Sequence, residues 1–347
     1  MKQILRNLFL SLTVLMLLFI STSCTVNVEK EFKFEYWNEC SSLNELTDYV
    51  TDVTNPNSKN FIPVQDRIAV FDMDGTLYGE LFPTYFEYLF LAHRVLDDPN
   101  YTASEELVAL GNEIMTSAAA GSFASDMPMR HALGQAEAFK GLTLAEFDNC
   151  VKEFMKLSPA GFTNMTYGEA FYVPMLEVIS YLNLNDFLTY IVSGSDRFIC
   201  RSLASEACNI PYERIIGMDV ELAATGQGDT DGLNYVYKDT DTVIRTNNLL
   251  IKNLKMNKVK QIAQEIGRQP VLSFGNSSGD VSMHMYTISN NKYRSAAFML
   301  IADDEVRDYG NTEKANKLAE EWREYGFNVI SMRDDFKYIY DPKVVRN

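Results

Sequence analysis

The chain has 347 residues, 46% of them hydrophobic and 22% charged, which suits one large or two ordinary globular domains with a sizeable core. Its formal net charge is −16, and −18 once Lys2 and Arg6 are set aside. A field of that sign repels phosphate polymers, which excludes nucleic acid and anionic membrane surfaces as main partners. It leaves room for a small phosphate ester, because a bound cation inverts the field inside one cleft.

In chain order, Lys2 and Arg6 come first, then an apolar run from Leu8 to Ile20 that is shorter than a spanning helix needs, then Ser21-Thr22-Ser23-Cys24. This is the pattern of a secretory signal over residues 1–23. A cysteine after small residues resembles a bacterial lipoprotein cleavage site, although Ser21 stands where that pattern has Leu. The expectation is an exported protein of the cell envelope, periplasmic or on the outer surface, held to the membrane through a lipidated Cys24 only.

Residues 24–60 mix charge with Asn, Ser and Thr and read as an N-terminal arm, with one short helix over 44–53. Short β-branched and aromatic runs at 67–71, 187–192, 270–274, 296–301 and 328–332 read as buried strands. Helical spacing fills 85–95, 104–119, 130–139 and 144–157. It recurs over 312–326, where Leu318, Trp322 and Tyr325 share a face and Gly326 ends the helix. Strands alternating with helices predict an α/β protein with a doubly wound, Rossmann-like parallel sheet. The first two strands are too far apart for one crossover helix, so the core is expected from 61–78 and 171–347, with an inserted helical cap over 79–170. The remaining cysteines, Cys40, Cys150, Cys200 and Cys208, form no CxxC pair, and His93, His131 and His284 do not cluster, so a zinc site is disfavoured.

Two aspartates one residue apart follow the first predicted strand, in Asp72-Met73-Asp74-Gly75, and the same spacing recurs at Asp229-Thr230-Asp231-Gly232. The second copy lies in a Gly-rich stretch and reads as a surface turn between extended segments. The first has company. Ligands of open α/β sheets bind beyond the carboxyl ends of strands, and there Asp72 meets Ser193 and Gly194 after the second strand and residues 275–280 after the third.

Four ordered motifs carry a family resemblance: Asp72-Met73-Asp74-Gly75-Thr76; "YIVSG" ending in Ser193 and Gly194; Lys258 in "NKVKQIAQEIGRQP"; and "FGNSSGD" through Asp280. Together they resemble the haloacid dehalogenase superfamily, in its branch similar to phosphoserine phosphatase, and the likeness runs from about Trp37 to Thr287. The resemblance implies a magnesium-dependent phosphomonoesterase acting on a small phosphorylated substrate. Asp72 would be the nucleophile that forms an aspartyl-phosphate, and Asp74 the acid and base. Ser193, Gly194 and Lys258 would hold the phosphoryl group, and Lys258 would also balance the charge of Asp72. Thr76 would bond the loop and serve phosphate binding. Asp72, the carbonyl of Asp74, Asn276 and Asp280 would hold magnesium. Asn276 stands where many relatives have Asp, so one ligand brings no charge.

By composition alone Lys252 and Lys255 rival Lys258, and Ser193 also reads as the N-cap of a following helix. In the cap, Glu80, Arg130 and His131 are candidate substrate contacts, and the aromatic residues of "FPTYFEYLF" read as core. A Schiff-base lysine of the phosphonate-cleaving kind has three candidates there, Lys140, Lys152 and Lys156, none in a matching motif. Phosphoryl transfer to an alcohol, or a narrow phosphatase for phosphorylcholine or phosphoserine, is the alternative within enzymes. A surface lipoprotein that binds ligands without turnover is the alternative outside them. No RHG triplet and no GxxxxGK stretch occurs, which disfavours histidine phosphatases and Walker-type enzymes. No oligomeric state follows from the sequence.

Overall fold

The computed structural model describes residues 32–80 and 82–347, so the signal expected over 1–23 and the lipidated Cys24 lie outside the described residues. Strands are β1 (Ile68–Phe71), β2 (Phe162–Thr163), β3 (Leu188–Asp196), β4 (Ile215–Ala224), β5 (Val243–Ile251), β6 (Leu272–Gly275), β7 (Ala296–Ile301), β8 (Asn328–Ser331) and β9 (Val345–Arg346). Seven of them form one sheet in the order β5-β4-β3-β1-β6-β7-β8. Every neighbouring pair in it is parallel except β4 and β5, which run antiparallel. This is the α/β, Rossmann-like architecture expected.

The doubly wound character follows from β1 itself. All four residues are buried; Ala69 and Phe71 join one core cluster while Ile68 and Val70 join another, so alternate side chains feed both faces. Phe71, Phe274 and Phe298 sit opposite one another on β1, β6 and β7, stacked with ring centroids 4.4 and 5.1 Å apart. This ladder fixes the register of three strands one residue before Asp72.

Helices Phe86–Leu96, Glu105–Ala120, Met127–Ala138 and Leu144–Met155 occupy the long connection after β1. Their ends follow local chemistry. Ser104 Oγ accepts from the Leu107 N–H and Gly121 closes the same helix at φ 64°, while Thr143 and Glu146 form a reciprocal capping box. The strand β2, near the end of this connection, pairs antiparallel with β9, tying it to the last residues of the chain.

Two expectations are corrected, and one element is new. Residues 34–60 are not an arm: helix Ser41–Thr54 buries Leu46, Tyr49, Val50 and Val53, and Tyr49 Oη donates to the carbonyls of Val271 and Arg294 at 3.1 and 2.9 Å. The second predicted strand does not stop at residue 192 but runs on as β3 through Ser193 and Gly194, with a register shift against β4 between Val192 and Asp196. The hairpin β4–β5 was not assigned from sequence; its loop carries Asp229 and Asp231, both exposed, as the surface turn predicted. Cys40, Cys150, Cys200 and Cys208 are free thiols. Among the described residues no helix is long and apolar enough to cross a membrane.

Candidate active site

The sheet order reverses at β1, with β3 on one side and β6 on the other. Such a switch point leaves a crevice at the carboxyl ends, because the connections diverge to opposite faces. A cavity of about 120 Å³ lies there. Of the residues expected from the sequence, Asp72, Asp74, Gly194, Lys258, Asn276 and Asp280 line it, and Thr76 and Ser193 do not.

The loop after β1 is held by main-chain bonds. The Asp72 N–H donates to the Phe274 carbonyl at 2.9 Å, and the Met73 carbonyl accepts from Thr76, Leu77 and Tyr78. Gly75 adopts φ +74°, and a Cβ there would lie 1.9 Å from Asn276 Nδ2, so only glycine fits both the turn and its neighbour. The hydroxyl of Thr76 is buried and finds no partner among the described residues, so the bond expected within the loop is not made.

Lys258 is the lysine of the site. Its Nζ donates to Asp72 Oδ1 at 2.5 Å and to Asp280 Oδ1 at 2.7 Å, and all three side chains are buried. One lysine shared by two carboxylates cannot neutralise both. Burial, aided by Asp280, pushes Asp72 up to about 7 despite Lys258. Burial acts the same way on Asp280, but Lys258, with His284 and the Asn276 N–H on its Oδ2, outweighs it and holds that carboxyl below its usual range. Lys258 is raised: burial opposes its charge, and the two carboxylates more than offset that.

Asp74 accepts a 2.6 Å hydrogen bond from Ser195 Oγ on Oδ2, while Oδ1 is buried without a partner among the described residues. Burial lifts its carboxyl to about 6 although the Ser195 bond pulls the other way. Ser193, buried and not among the residues lining the cavity, accepts the Ser195 N–H on its Oγ at 3.0 Å, which shapes the backbone around Gly194. It is not the N-cap of the following helix; Asp196 is, accepting from the Phe198 N–H.

Sequence reasoning did not assign Glu87 or Ser195 to the site, read Tyr85 and Tyr88 as core and took Lys252 only as a rival of Lys258, yet all five line the cavity. Glu87 and Lys252 form a buried ion pair at 2.9 Å between the first helix of the connection and the segment after β5. His131 is buried behind that pair, its Nε2 3.0 Å from the Glu87 carbonyl, and burial lowers it to about 4. Glu80 does reach the cavity and accepts from Asn276 Nδ2 at 3.0 Å. Burial, with Asp74, Asp72 and Asp280 beside it, pushes Glu80 up to about 8. Arg130 instead pairs with Glu113 and Asp126 on the surface. Lys140, Lys152 and Lys156 are half or more exposed and paired with Glu137, Asp148 and Glu153, away from the cavity. Lys255 is exposed and precedes the short helix Met256–Gln261 that carries Lys258.

A second buried ion pair braces the connection. Arg245 on β5 donates to Asp196 Oδ2 at 2.6 Å, and its guanidinium lies 3.9 Å from the ring centroid of Phe147 in helix Leu144–Met155. Main-chain bonds from Gly141 N to the Arg245 carbonyl and from Arg245 N to the Leu142 carbonyl, at 2.8 and 2.9 Å, join the same two segments.

No family model matches the chain, and no curated protein does. Solved structures resemble it. A conserved protein of unknown function from Anaerococcus prevotii DSM 20548 is 13% identical at a TM-score of 0.52, covering 87% of this chain and 95% of that one. A protein of unknown function from Bordetella pertussis Tohama I is 16% identical at 0.48, covering 76% and 97%. A phosphoserine phosphohydrolase-like protein from Francisella tularensis subsp. tularensis SCHU S4 is 15% identical at 0.42, covering 76% and 94%. At such identities a likeness speaks to fold alone. What the chain shares with the Anaerococcus protein is the fold, which in this chain is a mostly parallel α/β sheet.

Proposed function

We propose that the protein is a magnesium-dependent phosphomonoesterase of the haloacid dehalogenase type that works through an aspartyl-phosphate on Asp72. The observation that carries this reading is the cavity at the switch point, where Lys258 bridges Asp72 and Asp280 while Asp74 stands beside them with its own hydroxyl partner. Lys258 holds Asp72 Oδ1, leaving Oδ2 as the attacking atom. As the Asp72 oxygen bonds to phosphorus, the bond to the leaving oxygen breaks, and Asp74 hands that oxygen its proton. Burial raises Asp74 above the ordinary carboxyl range, the direction a general acid needs. A water then attacks the phosphoryl group, Asp74 takes its proton, and phosphate leaves with Asp72 restored. Gly194 lines the cavity from β3 and would offer its N–H to the transferred oxygens, with the Ser193–Ser195 bond shaping its backbone.

The donor set fits magnesium. Asp72, the main-chain carbonyl of Asp74, Asn276 and Asp280 are all oxygen donors, and among the described residues nothing donates to Asn276 Oδ1. Among the described residues no group of three or more His, Cys, Asp or Glu side chains is arranged to hold a metal ion, and two of the four donors proposed here, the Asp74 carbonyl and the Asn276 amide, are not carboxylates. When bound, the ion supplies the positive charge that offsets repulsion between a phosphate dianion and these acids. Export and anchoring through Cys24 remain part of the proposal.

The cavity favours a narrow enzyme over a broad one. Its small volume, with Tyr85, Tyr88, Glu80 and Glu87 on the wall, supports a compact leaving alcohol such as that of phosphorylcholine or phosphoserine. Hydrolysis of a panel of phosphate monoesters, with and without magnesium and beside Asp72→Asn, tests both parts. Magnesium-dependent turnover abolished by the substitution is expected. A folded protein inactive on the whole panel would favour a ligand-binding role.

A further inference from the structure

Asn276 raises a problem of direction. A carboxylate presents two equivalent oxygens to a cation, so either rotation serves; an amide presents one oxygen and one NH2 group, and only one rotation serves. A ligand amide needs something that fixes which end faces the metal.

The structure assigns that task to Glu80: it is a positioning residue of the metal centre, holding the Asn276 amide with its oxygen turned to the cavity. Three observations meet here. Asn276 Nδ2 donates to Glu80 Oε1 at 3.0 Å, and among the described residues nothing donates to Asn276 Oδ1, which is left for a cation. Gly75 seats the pair, since a Cβ on it would lie 1.9 Å from Asn276 Nδ2 and 2.7 Å from Glu80 Cδ. The loop delivers Glu80 to this point: Gly75 N donates to the Tyr78 carbonyl at 2.7 Å and Gly79 N to the Ala170 carbonyl at 2.8 Å, turning the chain back toward Asn276. An acceptor placed on the NH2 side selects one rotamer of the amide, as outer-shell partners select the tautomer of a ligating histidine.

The inference rests on the magnesium reading above, and the experiment separates the two. Mn2+ affinity, as a magnetic stand-in for magnesium, is measured by paramagnetic resonance on the full chain and on Glu80→Met, Glu80→Gln, Asn276→Asp and the Glu80→Met/Asn276→Asp double variant. Glu80→Met removes the acceptor. Loss of an outer-shell partner typically weakens metal binding about 10- to 100-fold, and that loss is expected here. Glu80→Gln, which can face Asn276 with either end of its own amide, should lose less. The double variant should recover at least wild-type affinity, because a carboxylate at 276 has no wrong rotation. Wild-type affinity in Glu80→Met, or a loss that persists unchanged in the double variant, overturns the assignment. A Glu80 that serves only the substrate would raise KM and leave Mn2+ affinity alone. Failure of the wild-type protein to bind Mn2+ at all would refute the metal reading itself, and the assignment with it.

Discussion

Replacing Lys258 by Met removes the one positive charge shared by two buried carboxylates. Its Nζ lies 2.5 Å from Asp72 Oδ1 and 2.7 Å from Asp280 Oδ1, and the lysine is 1% exposed, so no water can take its place without rearrangement. Breaking a buried ion pair from one side costs about 3–5 kcal/mol, because the partner is left charged and desolvated. Here two partners are left. The protein can escape by binding protons, and that escape depends on pH. Without the lysine Asp280 joins Asp72 above its unfolded value and Asp72 rises further, so the native state holds more protons than the unfolded one and stability falls as pH rises. Each such group contributes a slope of about 1.4 kcal/mol per pH unit between its unfolded and folded pKa. Urea unfolding in the presence of EDTA, which keeps a divalent ion from replacing the lysine, should show the full loss at pH 8 and a much smaller one at pH 5. Adding Asp280→Asn should restore much of the stability at pH 8. An equal loss at both pH values would refute the reasoning and leave packing of the lysine stem as the cause.

Gly75→Ala should abolish turnover and weaken Mn2+ binding while the protein still unfolds cooperatively, since its Cβ would strike the Asn276 amide at a position of positive φ. Asp308, buried and accepting from Tyr340 Oη at 3.1 Å, is pushed up to about 7 chiefly by burial. A raised carboxyl stabilises below its unfolded value near 3.9 and loses that contribution as pH climbs to about 7. Melting temperature in EDTA should therefore fall between pH 5 and pH 8, and less steeply in Asp308→Asn; identical slopes would count against it. Arg245→Met should destabilise by about 3–5 kcal/mol in urea, since it strands Asp196 and removes the contact with Phe147. A cost below 1 kcal/mol would mean that Asp196 is solvated in solution.

Much of the molecule was legible because the central strands are buried on both faces and spell it out: Ile68–Phe71 and Ala296–Ile301 are nearly unbroken apolar runs. The hairpin β4–β5 was not, because half of "VIRTNNLLI" faces solvent and Arg245, which reads as a surface residue, points inward. The spacing of Leu46, Tyr49, Val50 and Val53 gave the first helix, but periodicity cannot say what a helix packs on, and so the segment was taken for an arm. In the site, residues that act at strand ends were readable from position. Those that act through side-chain reach were less so: Ser195 lies one residue beyond the motif, and Glu87 and Lys252 meet across 165 positions. Ser193 and Thr76 sit in the motifs yet are buried and do not line the cavity, which no spacing rule foretells.

Helix Ser41–Thr54 also bears on the order in which the chain assembles. Its tyrosine is anchored on carbonyls 222 and 245 residues downstream, and Asp72 waits 186 residues for Lys258. Contacts this remote must pay loop-closure entropy before they return any stability, so they form slowly and late. As the chain is synthesised, the apolar face of its first helix has no native surface to cover it until nearly the whole sheet has emerged. Interim protection of Leu46, Tyr49, Val50 and Val53 is therefore a requirement of biogenesis for this fold.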